Sequence, residues 1–291
     1  MTNSIEVQGL RKSYGDFSLR DINLTVPGGA IMGLIGENGA GKTTTIKCIL
    51  NLIRRDEGTI TLLGHDNQRE ERAAKLEIGV VLDECFFHDS LRPRDIDLIL
   101  SRIYQGWDSA LYQRYLSKFQ LPERKFVKEF SRGMKMKLSL AAALSHRPKL
   151  LILDEATSGL DPIVRDEILD EFLGFIQDDD HAILISSHIT SDLEKAADYI
   201  AYLHQGKLLL CEEKDRLLEE YGRLACSEAE LSVVDASFLA GVRRGKFSCE
   251  ALVKHRARFA AAYPHLTVER VGLDDIMVFI NRAEKEREAE A

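Results

Sequence analysis

The stretch "GLIGENGAGKTTTIKCIL", Gly33 to Leu50, sets three glycines and a lysine between an apolar run and a segment of helical pattern. The preceding "IMGLIG" has the length and apolar character of a buried strand, so the chain passes from strand to glycine-rich loop to helix. Gly36, Gly39, Gly41, Lys42 and Thr43 satisfy GxxxxGK[ST]. Each of these residue types has a physical reason. A polyanion must be approached by main-chain N–H groups from several sides, and a Cβ on the glycines would hold the backbone away or forbid its φ angles. Between them, Glu37, Asn38 and Ala40 contribute their backbone to the same loop, and Thr44 continues into the helix. Lys42 adds a point charge for the β- and γ-phosphates, the helix start adds its positive end, and the Thr43 hydroxyl is a ligand for Mg²⁺. The break is read as a triphosphate seat.

A matching acidic strand follows in "LLILDEATSGLD", where apolar residues run into two carboxylates. Asp154 is placed to hold Mg²⁺ and Glu155 to polarise the water that attacks a γ-phosphate. Other compact apolar runs, such as "AILISSH", have the same character and are expected as neighbours in one sheet. Earlier, "SIEVQGL" and "FSLRDINLTV" alternate apolar and polar residues, as half-solvated antiparallel strands do. From about Pro93 to His146 helical periodicity replaces the strand signals, which marks a helical insertion.

Composition narrows the function classes. The 291 residues are 45% hydrophobic and carry a formal net charge of -8, enough for a large core and unfavourable for nucleic acid as a partner. The five cysteines are odd in number and never spaced CxxC, which fits neither a disulfide framework nor a zinc cluster. No stretch approaches the roughly 18 apolar residues of a membrane helix, so action on a membrane is expected to run through a partner.

Further stretches resemble the ATP-binding subunits of ABC transporters, over roughly Ile5 to Tyr221. "EFSRGMKMKLSLAAALSHRPKLLILDEATSGLDP" is similar to that family's signature motif, Walker B strand and D-loop in their order, and "ISSH" to the segment carrying its switch histidine. The resemblance implies an α/β fold of the P-loop NTPase class: a RecA-like core with an antiparallel β subdomain and a helical subdomain over about residues 86–146. Residues 1–222 would form this nucleotide-binding domain, and 223–291 a small C-terminal α+β appendage. The cofactors implied are ATP and Mg²⁺.

By the same resemblance, Ser131 and Gly133 would reach the γ-phosphate of ATP held by a second subunit, and Asp161 would communicate between the two sites. His188 would contact the γ-phosphate and order the attacking water. Tyr14, 28 residues before Lys42, stands where the family stacks a ring on adenine. Two departures qualify the match. Phe130, Arg132 and Met134 flank Ser131 and Gly133 in place of the common LSGGQ, with the phosphate-contacting pair kept. In "IGVVLDECFFHDSLRP" Asp83 occupies the apparent position of the Q-loop glutamine, with Glu84 as the register alternative and a purely structural loop as the third reading; either carboxylate offers a hard oxygen to Mg²⁺. Phe86 and Phe87 just beyond are either core or the wall of a groove for a helix of the membrane subunit.

The resulting expectation is an ATPase motor: a homodimer or heterodimer of ATP-binding subunits closing on two Mg-ATP, attached to separate transmembrane permease subunits. Such a chain would be cytoplasmic and peripheral on the inner face of the membrane, and the subfamily resemblance points to export of a peptide, antibiotic or lipid-like cargo. A soluble ABC-type ATPase would need a coiled-coil insertion or second cassette, and a P-loop kinase would lack "FSRGM" and the switch histidine. In the appendage, "GVRRGK" and "KHRARF" are solvated basic faces or a regulatory, dimer-stabilising surface.

Overall fold

The computed structural model describes residues 3–246 and 248–290; Met1 and Ala291, the outer limits of the two expected domains, lie outside the described residues. The chain divides into two compact units, Met1–Cys211 and Glu212–Ala291.

In the first unit, β1 (Asn3–Tyr14) and β2 (Phe17–Pro27) pair antiparallel, and β4 (Glu57–Leu62) and β5 (His65–Asp66) extend the sheet in the order β2-β1-β4-β5. Alternation decides which face is dry. Leu19, Ile22, Leu24 and Val26 of β2 are buried, while intervening residues such as Asp21, Asn23 and Thr25 face water.

A second sheet has six strands in the order β10-β9-β3-β8-β7-β6, formed by β3 (Ile31–Ile35), β6 (Ile78–Val81), β7 (Leu150–Asp154), β8 (Ala182–Ser187), β9 (Tyr199–His204) and β10 (Lys207–Glu213). The five strands from β9 to β6 run parallel. Every residue of β3, β7 and β8 is buried, as expected of parallel strands covered on both faces. The three apolar runs singled out from sequence are indeed neighbours here. Register then aligns their ends: Ile35 pairs with Ser187 and Asp154 with Ser186, so the loops leaving β3, β7 and β8 emerge together. In open parallel sheets that carboxyl edge is where ligands bind.

Around this sheet lie α1 (Lys42–Ile49), α2 (Glu71–Leu76), α6 (Pro162–Phe175) and α7 (Thr190–Ala196). The helical stretch comprises α3 (Pro93–Ile103), α4 (Ser109–Lys118) and α5 (Arg132–Leu144), inside the span expected from periodicity. No helix among the described residues is long and apolar enough to cross a membrane.

The second unit contains α8 (Lys214–Glu220), α9 (Glu228–Ser232), α10 (Arg256–Ala262) and α11 (Leu273–Glu290). Its antiparallel sheet has the order β12-β13-β11-β14, from β11 (Gly222–Cys226), β12 (Leu239–Arg244), β13 (Cys249–Val253) and β14 (Val268–Glu269). Leu224, Ala251, Val253 and Phe259 form its own core. The division falls ahead of the 222/223 boundary read from sequence. Helix α8 packs on α10 and its Glu220 meets His255 at 3.5 Å, so residues 214–220 belong with the later segment. The basic cluster "GVRRGK" is ion-paired: Arg243 lies 3.6 Å from Glu250 and Arg244 3.1 Å from Glu228.

Candidate active site

At the carboxyl edge of the parallel sheet lies a cleft of about 610 Å³, lined by the loop from Glu37 to Thr44 together with Asp83, Glu155 and His188. Four separate segments supply these residues.

The phosphate loop begins where β3 ends. A Cβ at Gly36 would stand 2.3 Å from the Leu203 carbonyl oxygen, so only glycine lets the loop lie against β9. Gly39 and Gly41 have φ of +83° and +110°, a region closed to most side chains. Helix α1 starts at Lys42 with Gly41 as its N-cap and no side-chain cap, which leaves its first N–H groups for an anion. We expect Gly36→Ala to lower stability by about 1–3 kcal/mol, since the clash is with backbone that cannot rotate away. Denaturant unfolding measures this, and a variant as stable as the parent would refute the close packing.

Lys42 is 6% exposed, and its Nζ donates to the Gly36 carbonyl at 2.8 Å and lies 3.2 Å from Glu155 Oε1. His188 Nδ1 is 2.6 Å from Glu155 Oε2; the carboxylate can only accept, so the ring donates. Glu155 thus lies between a lysine and a histidine. Its φ of +52° is unusual for a non-glycine, and its own N–H donates to the Ser186 hydroxyl at 3.1 Å. Strain of this kind concentrates at functional positions, and here it turns the carboxylate from the strand end into the cleft.

Asp154 is buried at the end of β7 and accepts a 2.5 Å hydrogen bond from the Ser186 hydroxyl. Burial pushes its carboxyl above the usual range, opposed by hydrogen bonds from Ser186 and Thr43 and reinforced by the nearby charges of Asp83 and Glu155. This oxygen set suits Mg²⁺: hydroxyl and carboxylates without sulfur or imidazole. No cluster of three or more His, Cys, Asp or Glu residues suited to a metal occurs among the described residues. The Q-loop alternatives separate in space. Asp83 lines the phosphate cleft, whereas Glu84 lines an apolar groove beside it.

Ser131, Gly133, Asp161 and Tyr14 are not among the residues lining the cleft. Ser131 caps α5, its hydroxyl accepting from Met134 N at 3.2 Å, and Asp161 caps α6, accepting from Val164 N at 3.1 Å. Gly133 faces Val164, where a Cβ would be 3.4 Å from Cγ1, so the signature and the D-loop helix lie side by side. Tyr14 ends β1, 47% exposed, with Lys12 Nζ 5.1 Å from its ring. Its register partner Phe17 is the aromatic that lines the cleft. Phe17, Arg132, Ser158 and Ser186 escaped the reading of the sequence. Only Ser186 carried a signal, in the second residue of "ISSH".

A family model described as ABC transporter matches residues 19–158. The bacitracin transport ATP-binding protein BcrA of Enterococcus faecalis is 36% identical over 208 residues, covering 70% of this chain and 68% of the relative. The lantibiotic transport ATP-binding protein SrtF of Streptococcus pyogenes is 36% identical over 214 residues, covering 72% and 91%. Among solved structures, an ATP-binding subunit of an ABC transporter superposes with a TM-score of 0.66 at 29% identity, covering 72% of this chain and 90% of that one. A dimeric ATP-binding cassette in a post-hydrolysis state with ADP and Pi has a TM-score of 0.64 at 21% identity, covering 72% and 98%, a likeness of fold. The phosphate loop, the acidic strand end and the histidine gathered at one sheet edge agree with these relatives, and the chain belongs to the ABC transporter family as an ATP-binding subunit that hydrolyses Mg-ATP to power transport.

Proposed function

We propose that this chain is one of two ATP-binding subunits driving a separate membrane permease that exports an antibiotic, peptide or lipid-like amphiphile. The observation that supports a permease partner is an apolar groove of about 420 Å³ adjoining the ATP cleft, walled by Val80, Leu82, Phe86, Phe87, Leu100 and Ala143. Phe86 is 73% exposed, and Leu52 and Ile103 leave further apolar surface uncovered in the same unit. An exposed aromatic at an apolar groove fits the apolar face of an amphipathic helix. Asp83 and Glu84 follow one another in the chain, one in the cleft and one in the groove, so a change at the nucleotide is one peptide unit from the partner.

Within the ATP cleft, Lys42 holds the β- and γ-phosphates, Glu155 takes the proton of the attacking water, and His188 orients Glu155. Thr43, Asp154 and Asp83 would hold Mg²⁺, which would supply positive charge to the phosphate oxygens. Ser131 and Gly133 face the ATP of the second subunit, with Asp161 between the sites. Tyr14 or its neighbour Phe17 stacks on adenine. Export of an amphiphile rests on the relatives, which are named for bacitracin, lantibiotic and linearmycin transport or resistance.

The permease reading is tested with Phe86→Ala/Phe87→Ala. Truncating two aromatic anchors is expected to weaken capture of the co-expressed permease at least tenfold, while the isolated subunit keeps its fold and ATP turnover. Co-purification at equal expression measures this. Retention of the permease by the double variant would move the interface elsewhere.

A further inference from the structure

Behind the phosphate loop, the end of β9 at Leu203 and His204 and the turn at Gln205 and Gly206 touch the loop repeatedly. The Leu203 carbonyl occupies the space that a Cβ on Gly36 would need, and Gly206 N donates to the Ala40 carbonyl at 2.9 Å. Gly206 is itself fixed: it has φ of +76°, a Cβ there would meet the Ser18 carbonyl oxygen at 1.9 Å, and its own carbonyl accepts from Arg20 N at 2.7 Å. The end of β9 and the turn after it are therefore a rigid backing for the loop.

His204 ends β9, 1% exposed, with Nδ1 3.0 Å from Glu37 Oε1. The two atoms are at ion-pair distance, but the contact falls outside hydrogen-bond geometry, and neither ring nitrogen has a hydrogen-bond partner among the described residues. Buried polar groups are ordinarily satisfied, and a leucine would fill this space without that cost. Glu37 is the one carboxylate inside the phosphate loop, and it lines the cleft beside Lys42 and Thr43. An acidic group among residues that receive a triphosphate repels it unless a partner draws the charge aside.

We propose that His204 is a positioning residue for ATP: from behind the phosphate loop it draws the Glu37 carboxylate away from the phosphate seat and so sets the affinity for nucleotide. The inference concerns the ATP site of this chain and does not depend on the permease or its cargo. In this arrangement the histidine touches neither nucleotide nor water. It acts through Glu37 alone, and its removal frees a negative charge towards the phosphates.

The charge logic is separable from packing by a double-mutant cycle in the full chain, with ATP turnover as the readout. His204→Ala is expected to raise KM for ATP about tenfold with kcat changed less than about threefold. In a Glu37→Gln background, the same His204→Ala step is expected to raise KM less than about twofold, because no charge remains to be released. His204→Asn, which restores an N–H near the position of Nδ1, should recover most of the affinity. His204→Phe keeps the ring volume and is carried through the same cycle, so that collapse of the cavity in His204→Ala cannot decide the result. An equal rise in KM in both backgrounds would assign His204 to packing alone and overturn the proposal. So would an unchanged KM in both His204→Ala and His204→Phe.

Discussion

Glu155→Gln is expected to lower ATP turnover about 10²–10⁴-fold, equivalent to roughly 3–5 kcal/mol in the barrier, while ATP binding persists. The substitution keeps the shape and one hydrogen-bonding oxygen but removes the charge proposed to take a proton from water. The geometry adds a second consequence. Glu155 meets Lys42 Nζ at 3.2 Å and His188 Nδ1 at 2.6 Å, so the neutral amide also releases Lys42 from an ion pair and leaves it to the phosphates. ATP affinity should therefore hold or rise as turnover falls, which a general loss of structure would not produce. Near-parental hydrolysis at saturating Mg²⁺ would remove Glu155 from this role. The same background exposes the second subunit's contribution, since ATP should convert single chains to pairs that hydrolysis no longer dissolves. Adding Gly133→Asp should abolish that conversion, because a carboxylate beside Val164 would face a triphosphate across the pairing surface. Sedimentation with ATP reads the outcome directly.

Lys42→Ala carries the other large effect. Nζ is the one cation that the phosphate loop itself provides, and it is 6% exposed beneath that loop. Charge-assisted contacts of this kind contribute about 1.5–3 kcal/mol, so ATP affinity should fall about 10- to 100-fold. Hydrolysis should nearly vanish, because backbone N–H donors cannot replace a charge that also sits against Glu155. Titration with a fluorescent ATP analogue at concentrations where the protein is a single chain separates this variant from Gly133→Asp, which should leave single-chain affinity almost unchanged. Equal losses in the two variants would place the signature in its own chain's site and exclude a site shared between two chains.

The phosphate loop and the acidic strand were readable because their chemistry is local. Three glycines, a lysine and a threonine at fixed spacing, after a buried strand and before a helix, leave few other backbone paths. Likewise, runs such as "LLILD" and "AILISS" are apolar on both faces, which only a covered parallel sheet accommodates. Strand order, and therefore which loop ends meet, is a property of long-range pairing. Nothing within "ISSH" says that Ser186 will stand opposite Asp154 and donate to it, or that His188 will reach Glu155, because those contacts join residues 32 and 33 positions apart.

The same distinction explains the positions that escaped. Phe17 enters the cleft because a hairpin pairs it with Tyr14, and Arg132 because its side chain lies over Gly159, where a Cβ would stand 2.8 Å from Nη1. Asp83 stood at the apparent glutamine position with Glu84 as the register alternative one residue on; the chain after β6 sends the first to the cleft and the second to the groove. The end of the first unit at Cys211 depends on helix 214–220 packing with a segment about 40 residues further on, a contact that no local composition records. Sequence alone determined an α/β fold with a glycine-rich strand-to-helix loop at Gly36–Thr44, since backbone conformation and charge at those residues are set by their own chemistry, and its ordered motifs carried the resemblance to the ABC family. The tertiary structure alone decided which carboxylate faces Lys42, which aromatic walls the cleft, and that a buried histidine from β9 meets the phosphate loop, since each depends on which strands lie side by side.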